Sequence, residues 1–181
     1  MKVVSVFGGA APHADTPAYQ EAVAMGRLLA QAGYTVATGG YGGVMAGASR
    51  GAAEAGGHVI GVTCSLIEDW REGLAANQWV KEEIRFASLR ERLFHLVSFC
   101  DAAVALGGGI GTLSEVSFMW SLVQTGEITR KPLVLVGPLW QQTLDTFLAQ
   151  ANDYVRPVDK SLLAYAGQVD EVITVLKNHA S

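Results

Sequence analysis

The sequence predicts an α/β fold, a mostly parallel sheet covered by helices on both faces in a three-layer αβα sandwich. Two observations carry this expectation. Short apolar runs of strand length recur, and several lead into glycines and then a segment of helical period, so strand, turn and helix repeat at roughly 30-residue intervals. Right-handed crossovers between parallel strands then put helices on both faces of the sheet. No linker or compositional break divides the 181 residues, so one domain is expected over residues 1–181.

The elements follow in order. Lys2 to Phe7 is a buried strand ended by Gly8-Gly9. Thr16 is placed to N-cap a helix beginning at Pro17, with Ala22, Met25, Leu29 and Ala32 at helical spacing and Gly33 at its end. Thr35 to Ala37 is the second strand; Gly39-Gly40-Tyr41-Gly42-Gly43 and an alanine-rich helix to about Ala55 follow it, and His58 to Val62 is the third. No periodicity marks Thr63 to Asn77, and Val80 to Ile84 reads equally as a strand or a loop. Ser88-Leu89-Arg90-Glu91 has capping-box spacing, with Leu89, Leu93, Leu96, Val97 and Cys100 giving the next helix a buried face. Ala102 to Leu106 is a strand, followed by a glycine-rich turn and a helix to about Gln124. A strand at Pro132 to Val136, a helix from about Trp140 to Gln150, a short strand near Leu162 to Ala164 and a helix from Val169 to Lys177 complete the pattern.

Half the residues are apolar and 17% are charged, the composition of a globular protein. A formal net charge of −4 without a Lys/Arg-rich block argues against nucleic acid as a partner, although local amides can still bind an anionic small molecule. No run approaches the ~18 apolar residues of a membrane span. The start, Met1-Lys2-Val3-Val4-Ser5, does not read as a signal peptide, so a cytoplasmic protein with no membrane partner is expected. Cys64, Cys100 and the four histidines show no metal-ligand spacing; neither a metal nor a cofactor is predicted.

The stretch Val104-Ala105-Leu106-Gly107-Gly108-Gly109-Ile110-Gly111-Thr112-Leu113-Ser114-Glu115 concentrates the chemistry. Thr112 and Glu115 have capping-box spacing, which would explain them as a helix start. A cap does not explain four glycines. Glycines let a ligand approach the main chain without meeting a Cβ, and exposed amides at a helix start form an anion site suited to phosphate. No lysine follows, so this is not a Walker loop. The first turn also lacks the dinucleotide fingerprint, which favours a mononucleotide over NAD. In a parallel sheet the turns after the strands share one edge, which makes Gly8, Gly9, Gly40, Tyr41, Gly42, Gly108, Gly109, Ile110, Gly111 and Thr112 the candidate nucleotide- and phosphate-binding residues.

Gly107-Gly108-Gly109-Ile110-Gly111-Thr112-Leu113-Ser114-Glu115 resembles the Pro-Gly-Gly-x-Gly-Thr-x-x-Glu hallmark of the Lonely Guy family, also labelled lysine decarboxylase-like, with glycine in place of proline. The resemblance extends to Pro17-Ala18-Tyr19, to Gly39-Gly40-Tyr41-Gly42-Gly43-Val44-Met45 and to Gly56-Gly57-His58-Val59-Ile60-Gly61-Val62. The family's Arg-Lys pair falls on Arg92-Leu93, so the arginine is retained and the lysine is not. The resemblance implies a Rossmann-like nucleotide-binding homodimer. It also implies hydrolysis of the N-glycosidic bond of a nucleoside 5′-monophosphate, of AMP or cytokinin-riboside type, to free base and ribose 5-phosphate. It assigns the catalytic roles to Arg92 and Glu115. A carboxylate can stabilise the positive charge that develops on the ribosyl carbon or orient the attacking water, and an arginine fork can grip phosphate.

The same superfamily contains molybdenum-cofactor carrier-like proteins, and Gly107 and Leu93 depart from the hydrolase pattern, so a noncatalytic carrier or sensor is the alternative. Lysine decarboxylation is not supported: none of Lys2, Lys81, Lys131, Lys160 and Lys177 lies in a glycine turn where a Schiff base could form. Tyr41 is a candidate to stack on a base, against simple packing. Met45 and His95 read as structural. Phe118, Met119, Trp120, Leu122 and Val123 make their helix apolar on more than one side, as a deep core helix or a subunit interface would require.

Overall fold

The strands form in the predicted order. A computed structural model describes residues 2–71 and 73–179. Its strands are β1 (Val3–Phe7), β2 (Thr35–Thr38), β3 (Val59–Cys64), β4 (Glu82–Phe86), β5 (Ala102–Ala105), β6 (Leu133–Val136) and β7 (Leu163–Ala166). They join in one seven-stranded sheet of order β4-β3-β2-β1-β5-β6-β7, each neighbour paired in parallel. The Rossmann-like α/β fold is therefore present.

Helices α1 (Pro17–Gln31), α2 (Val44–Glu54), α3 (Ser65–Trp70), α4 (Leu89–Ser98), α5 (Ile110–Thr125), α6 (Pro138–Gln150), α7 (Pro157–Lys160) and α8 (Val172–His179) fill the connections, with a 3₁₀ turn at Val169–Glu171. Strand residues alternate between two cores. Val4, Val6, Val36, Val59 and Val104 meet α1, α2 and α8, whereas Phe7, Ala37, Val62, Ala103 and Leu135 meet α4, α5 and α6. Apolar residues on both faces are what a doubly covered parallel sheet requires.

Local signals place the ends of α1 and α4. Thr16 accepts from the Tyr19 amide, and Ser88 and Glu91 form a complete capping box. Three glycines that turn chemistry does not explain, Gly26, Gly47 and Gly51, let α1 and α2 approach closely. A Cβ on Gly51 would lie 1.9 Å from the Val23 carbonyl oxygen, and one on Gly26 would lie 2.0 Å from that of Ala48. Within the aperiodic region the described residues complete β3 and form α3, and the segment after it settles as a strand over 82–86. Six residues are too few to display a helical period. Within the described residues no helix is long and apolar enough to cross a membrane.

The order of strands reverses at β1, which has β2 on one side and β5 on the other. Crossovers leave this point toward opposite faces, opening a crevice beyond the strands' carboxyl ends. The turns after β1 and β5 meet there.

Candidate functional site

Two glycine turns make the floor of the crevice. The Leu106 amide donates to the Phe7 carbonyl at 3.0 Å and the Gly9 amide to the Gly107 carbonyl at 3.0 Å, carrying the pairing of β1 and β5 past the sheet's edge. The third turn joins through the Val44 amide, which donates to Gly9 at 2.8 Å. Gly43 has a φ of +65°, and a Cβ there would lie 2.3 Å from the Gly9 oxygen. Gly8 packs against Val44, and Gly40 against Thr63, so these two glycines are needed for close approach within the protein. Gly42 is exposed.

The glycines after β5 divide into two kinds. A Cβ on Gly108 would lie 2.1 Å from Thr112 Oγ1 and 2.9 Å from the Gly9 amide, so Gly108 is there for packing. Around Gly107, Gly109 and Gly111 a Cβ would meet nothing within 4 Å. Gly109 is the N-cap of α5, and no side chain caps that helix. Its opening amides, at Ile110, Gly111 and Thr112, precede the first intrahelical donor, Leu113, which donates to Gly109 at 3.0 Å. Gly109, Ile110 and Gly111 are exposed. Uncapped amides on an open, glycine-lined surface at the positive end of a sixteen-residue helix are the groups that an anion site requires.

The capping-box explanation of Thr112 and Glu115 is not realised. Helix α5 begins at Ile110, which puts Thr112 in its first turn and Glu115 further in. Glu115 shares its helix face with Thr112 and Met119, both buried, and is itself half-buried. Its carboxylate makes no hydrogen bond with any described residue. Burial pushes its pKa from the ordinary 4.5 up to about 7, while the positive charge of Arg92 pulls the other way.

Arg92 comes from the first turns of α4 and is 6% exposed. Its Nε donates to the Val62 carbonyl at 2.8 Å and its Nη2 to the Gly39 carbonyl at 3.1 Å, which anchors the guanidinium across the ends of β2 and β3. Gly39 must be glycine to admit it, since a Cβ there would lie 2.0 Å from Nη2. The remaining guanidinium donors have no partner among the described residues. Leu93, where the family motif has lysine, is half-buried against the core on the α4 side of the sheet.

Tyr41 is 4% exposed, with its ring beside the Arg92 guanidinium at 5.6 Å. Its hydroxyl accepts from the Cys64 amide at 2.7 Å and lies 3.1 Å from the Cys64 carbonyl and 3.2 Å from Glu68 Oε1, either of which can take its proton. Burial raises its pKa to about 12. Two contributors had no signal in the sequence. Asn77 Nδ2 donates to the carbonyls of Gly40 and Tyr41 at 3.0 and 3.1 Å, and Glu68 joins Tyr41 to Arg85. Both lie in, or pair with, the aperiodic stretch. Met45 is buried, and His95 sits between the rings of Phe86 and Phe99.

A separate surface groove lies at the opposite edge of the sheet, lined by Lys2, Asp101, Arg130 and Lys131. The ammonium of Lys131 is already bound there to the carbonyls of Ser98 and Cys100.

A model of the SLOG cluster4 family matches residues 1–160. The chain is 28% identical to an uncharacterized protein of Archaeoglobus fulgidus over 76% of this chain and 87% of that one. It is also 28% identical to the cytokinin riboside 5′-monophosphate phosphoribohydrolase LOG7 of Arabidopsis thaliana, across 98% of this chain and 82% of the relative. The structure of the molybdenum cofactor binding protein from Rippkaea orientalis matches with a TM-score of 0.75 at 27% identity, covering 99% of this chain and 98% of that one. That of the molybdenum cofactor carrier protein from Chlamydomonas reinhardtii matches with a TM-score of 0.73, also at 27% identity and with the same two coverages.

Proposed function

Because the chain belongs to the SLOG cluster4 family, whose Lonely Guy-type glycine motif it carries, we propose that it binds a nucleoside 5′-monophosphate and hydrolyses its N-glycosidic bond. The observation that carries this reading is Glu115: a half-buried carboxyl that feels the Arg92 charge, without a hydrogen-bond partner among the described residues, and with a pKa that burial raises to about 7. A structural carboxylate gains nothing from such a place. A general base or acid does, because its proton is then exchangeable near neutral pH.

In this mechanism the amides of Ile110, Gly111 and Thr112 hold the 5′-phosphate, and the ribose lies toward Glu115. The bond between the anomeric carbon and the base nitrogen breaks, and its electron pair leaves with the base. The Glu115 carboxylate faces the positive charge that builds on the sugar and takes a proton from the attacking water, whose oxygen bonds to the anomeric carbon. The proton that Glu115 took from the water passes, directly or through solvent, to the departing base nitrogen, which restores the carboxylate and leaves free base and ribose 5-phosphate as the products. Arg92 keeps Glu115 ionised for part of the population and offers its free donors to the substrate.

A second reading, a noncatalytic carrier of nucleotide or molybdenum cofactor, is favoured by one observation. Leu93 puts a core-packed apolar side chain where the hydrolase motif has lysine. The likeness to the two molybdenum-cofactor proteins runs the same way. Both readings use the same amides. Incubation with a panel of nucleoside 5′-monophosphates, with free base and ribose 5-phosphate read by chromatography, separates them: base release supports the hydrolase, and tight binding without release supports the carrier.

A homodimer is part of the same proposal. Phe94 on α4 and Leu113 on α5 are 42% and 38% exposed, Ile110 is 81% exposed, and the ring of Phe94 lies 6.4 Å from that of Phe118. This apolar surface adjoins the phosphate turn and suits a second copy of the chain.

A further inference from the structure

We propose that Tyr41 is a positioning residue for the Arg92–Glu115 pair: its ring backs the Arg92 guanidinium, and its hydroxyl, fixed by the Cys64 main chain and Glu68, sets where that ring stands. The proposal rests on the reading that Arg92 and Glu115 act together. It changes the expected part of Tyr41 from a platform for the base to a support for the arginine.

The support is built from three directions. The turn that carries Tyr41 is held from inside by Thr38 Oγ1, which accepts from the Gly40 amide at 3.1 Å. From outside it is held by Asn77, whose Nδ2 reaches the carbonyls of Gly40 and Tyr41. The hydroxyl then crosses to the end of β3, accepting from the Cys64 amide at 2.7 Å, while Glu68 of α3 is braced in turn by Arg85 of β4. The guanidinium lies 5.6 Å from the ring centroid, close enough for a cation to be attracted to the ring face. Its two hydrogen bonds fix Nε and Nη2 but leave the plane free to tilt about the line between the Val62 and Gly39 carbonyls. The Tyr41 ring limits that tilt. Among the described residues, the charged groups near this assembly are Arg92 from α4, Glu68 from α3, Arg85 from β4 and Glu115 from α5.

The consequence is that Tyr41, which the structure does not link to Glu115 directly, controls how strongly Arg92 holds the Glu115 proton off. The test is the titration of Glu115, followed by NMR in protein carrying ¹³Cδ-labelled glutamate and assigned with Glu115→Gln, for wild type, Tyr41→Phe, Tyr41→Leu and Arg92→Met. Removing the arginine charge raises the Glu115 midpoint and gives the ceiling of the effect. Tyr41→Leu, which removes ring and hydroxyl, raises it by at least about half a pH unit, because a guanidinium free to tilt away stabilises the carboxylate less. Tyr41→Phe keeps the ring but frees its outer end, and gives a smaller rise in the same direction. If Tyr41→Leu does not fold, Tyr41→Phe decides.

A Glu115 midpoint unchanged in the folded tyrosine variants overturns the proposal, as does one unchanged in Arg92→Met. A tyrosine that merely fills space would lower stability in these variants without moving the midpoint. The titration requires no turnover, so a wild type that binds nucleotide without releasing base defeats the hydrolase reading and leaves this measurement decisive. Where the wild type does release base, Tyr41→Phe lowers kcat severalfold more than it raises KM, since the glycine amides still hold the phosphate.

Discussion

Glu115→Gln tests the site through stability as well as activity. A carboxyl whose pKa rises from 4.5 in the unfolded chain to about 7 in the native protein binds its proton more tightly when folded. Between those two values the folded state is protonated where the unfolded state is not, so stability falls as pH rises through this window, and the loss is nearly complete about one unit above pH 7. At roughly 1.36 kcal/mol per pH unit, the ionised Glu115 costs the fold about 3 kcal/mol at pH 8.5 relative to its protonated form. Glutamine imitates the protonated form in shape and charge. The variant is therefore expected to match wild type at pH 4.5 and to exceed it by up to about 3 kcal/mol at pH 8.5, which for a chain of this size is roughly 6–12 °C in Tm. Urea unfolding at the two pH values measures this, and base release from AMP measures activity, which is expected to fall by at least about a hundredfold. Stability bought at the expense of turnover is the signature of a carboxylate kept for chemistry. A variant destabilised equally at both pH values, with unaltered base release, would refute the reasoning, because Glu115 would then be a packing residue in an ordinary environment.

The remaining predictions concern the turn and the surface beside it. Gly111→Ala adds a methyl group where no atom lies within 4 Å and removes a glycine from the first turn of α5. It is expected to raise stability by up to about 1 kcal/mol while weakening AMP binding, measured calorimetrically, by about tenfold or more; unchanged affinity would show that no ligand approaches there. Gly108→Ala should do the reverse in folding, losing roughly 1–3 kcal/mol in urea denaturation, because its Cβ collides with Thr112 and Gly9. A combined Phe94→Asp and Leu113→Glu variant should sediment as a monomer at micromolar concentration where wild type sediments as a dimer. A monomeric wild type would remove the dimer from the proposal.

Much of the fold was legible because its signals are local. Thr16-Pro17 and Ser88 to Glu91 announce helix starts through hydrogen bonds made within one turn, and both caps form. The repetition of short apolar run, glycine turn and helical segment indicated a parallel sheet before any pairing was known, and the central strands are apolar on both faces because both are covered. The aperiodic stretch was not legible. Helix α3 is six residues long, and Asn77 acts through the carbonyls of Gly40 and Tyr41, more than thirty residues away. The spacing of Thr112 and Glu115 was misleading on its own: it satisfies the capping-box rule, yet the preceding glycines let α5 begin earlier, at Ile110.

The sequence by itself determined the succession of strand, turn and helix, and the gathering of glycine turns at one edge, because period, cap and turn chemistry act between near neighbours in the chain. Tertiary structure alone decided what those turns enclose. Arg92 is anchored by carbonyls 30 and 53 residues away, Tyr41 is locked to a main chain 23 residues away, and Glu115 acquires its raised pKa from burial. Burial, the charge of a distant side chain and the closeness of two turns are sums over residues remote in sequence, and they take their values only when β1 has β2 on one side and β5 on the other.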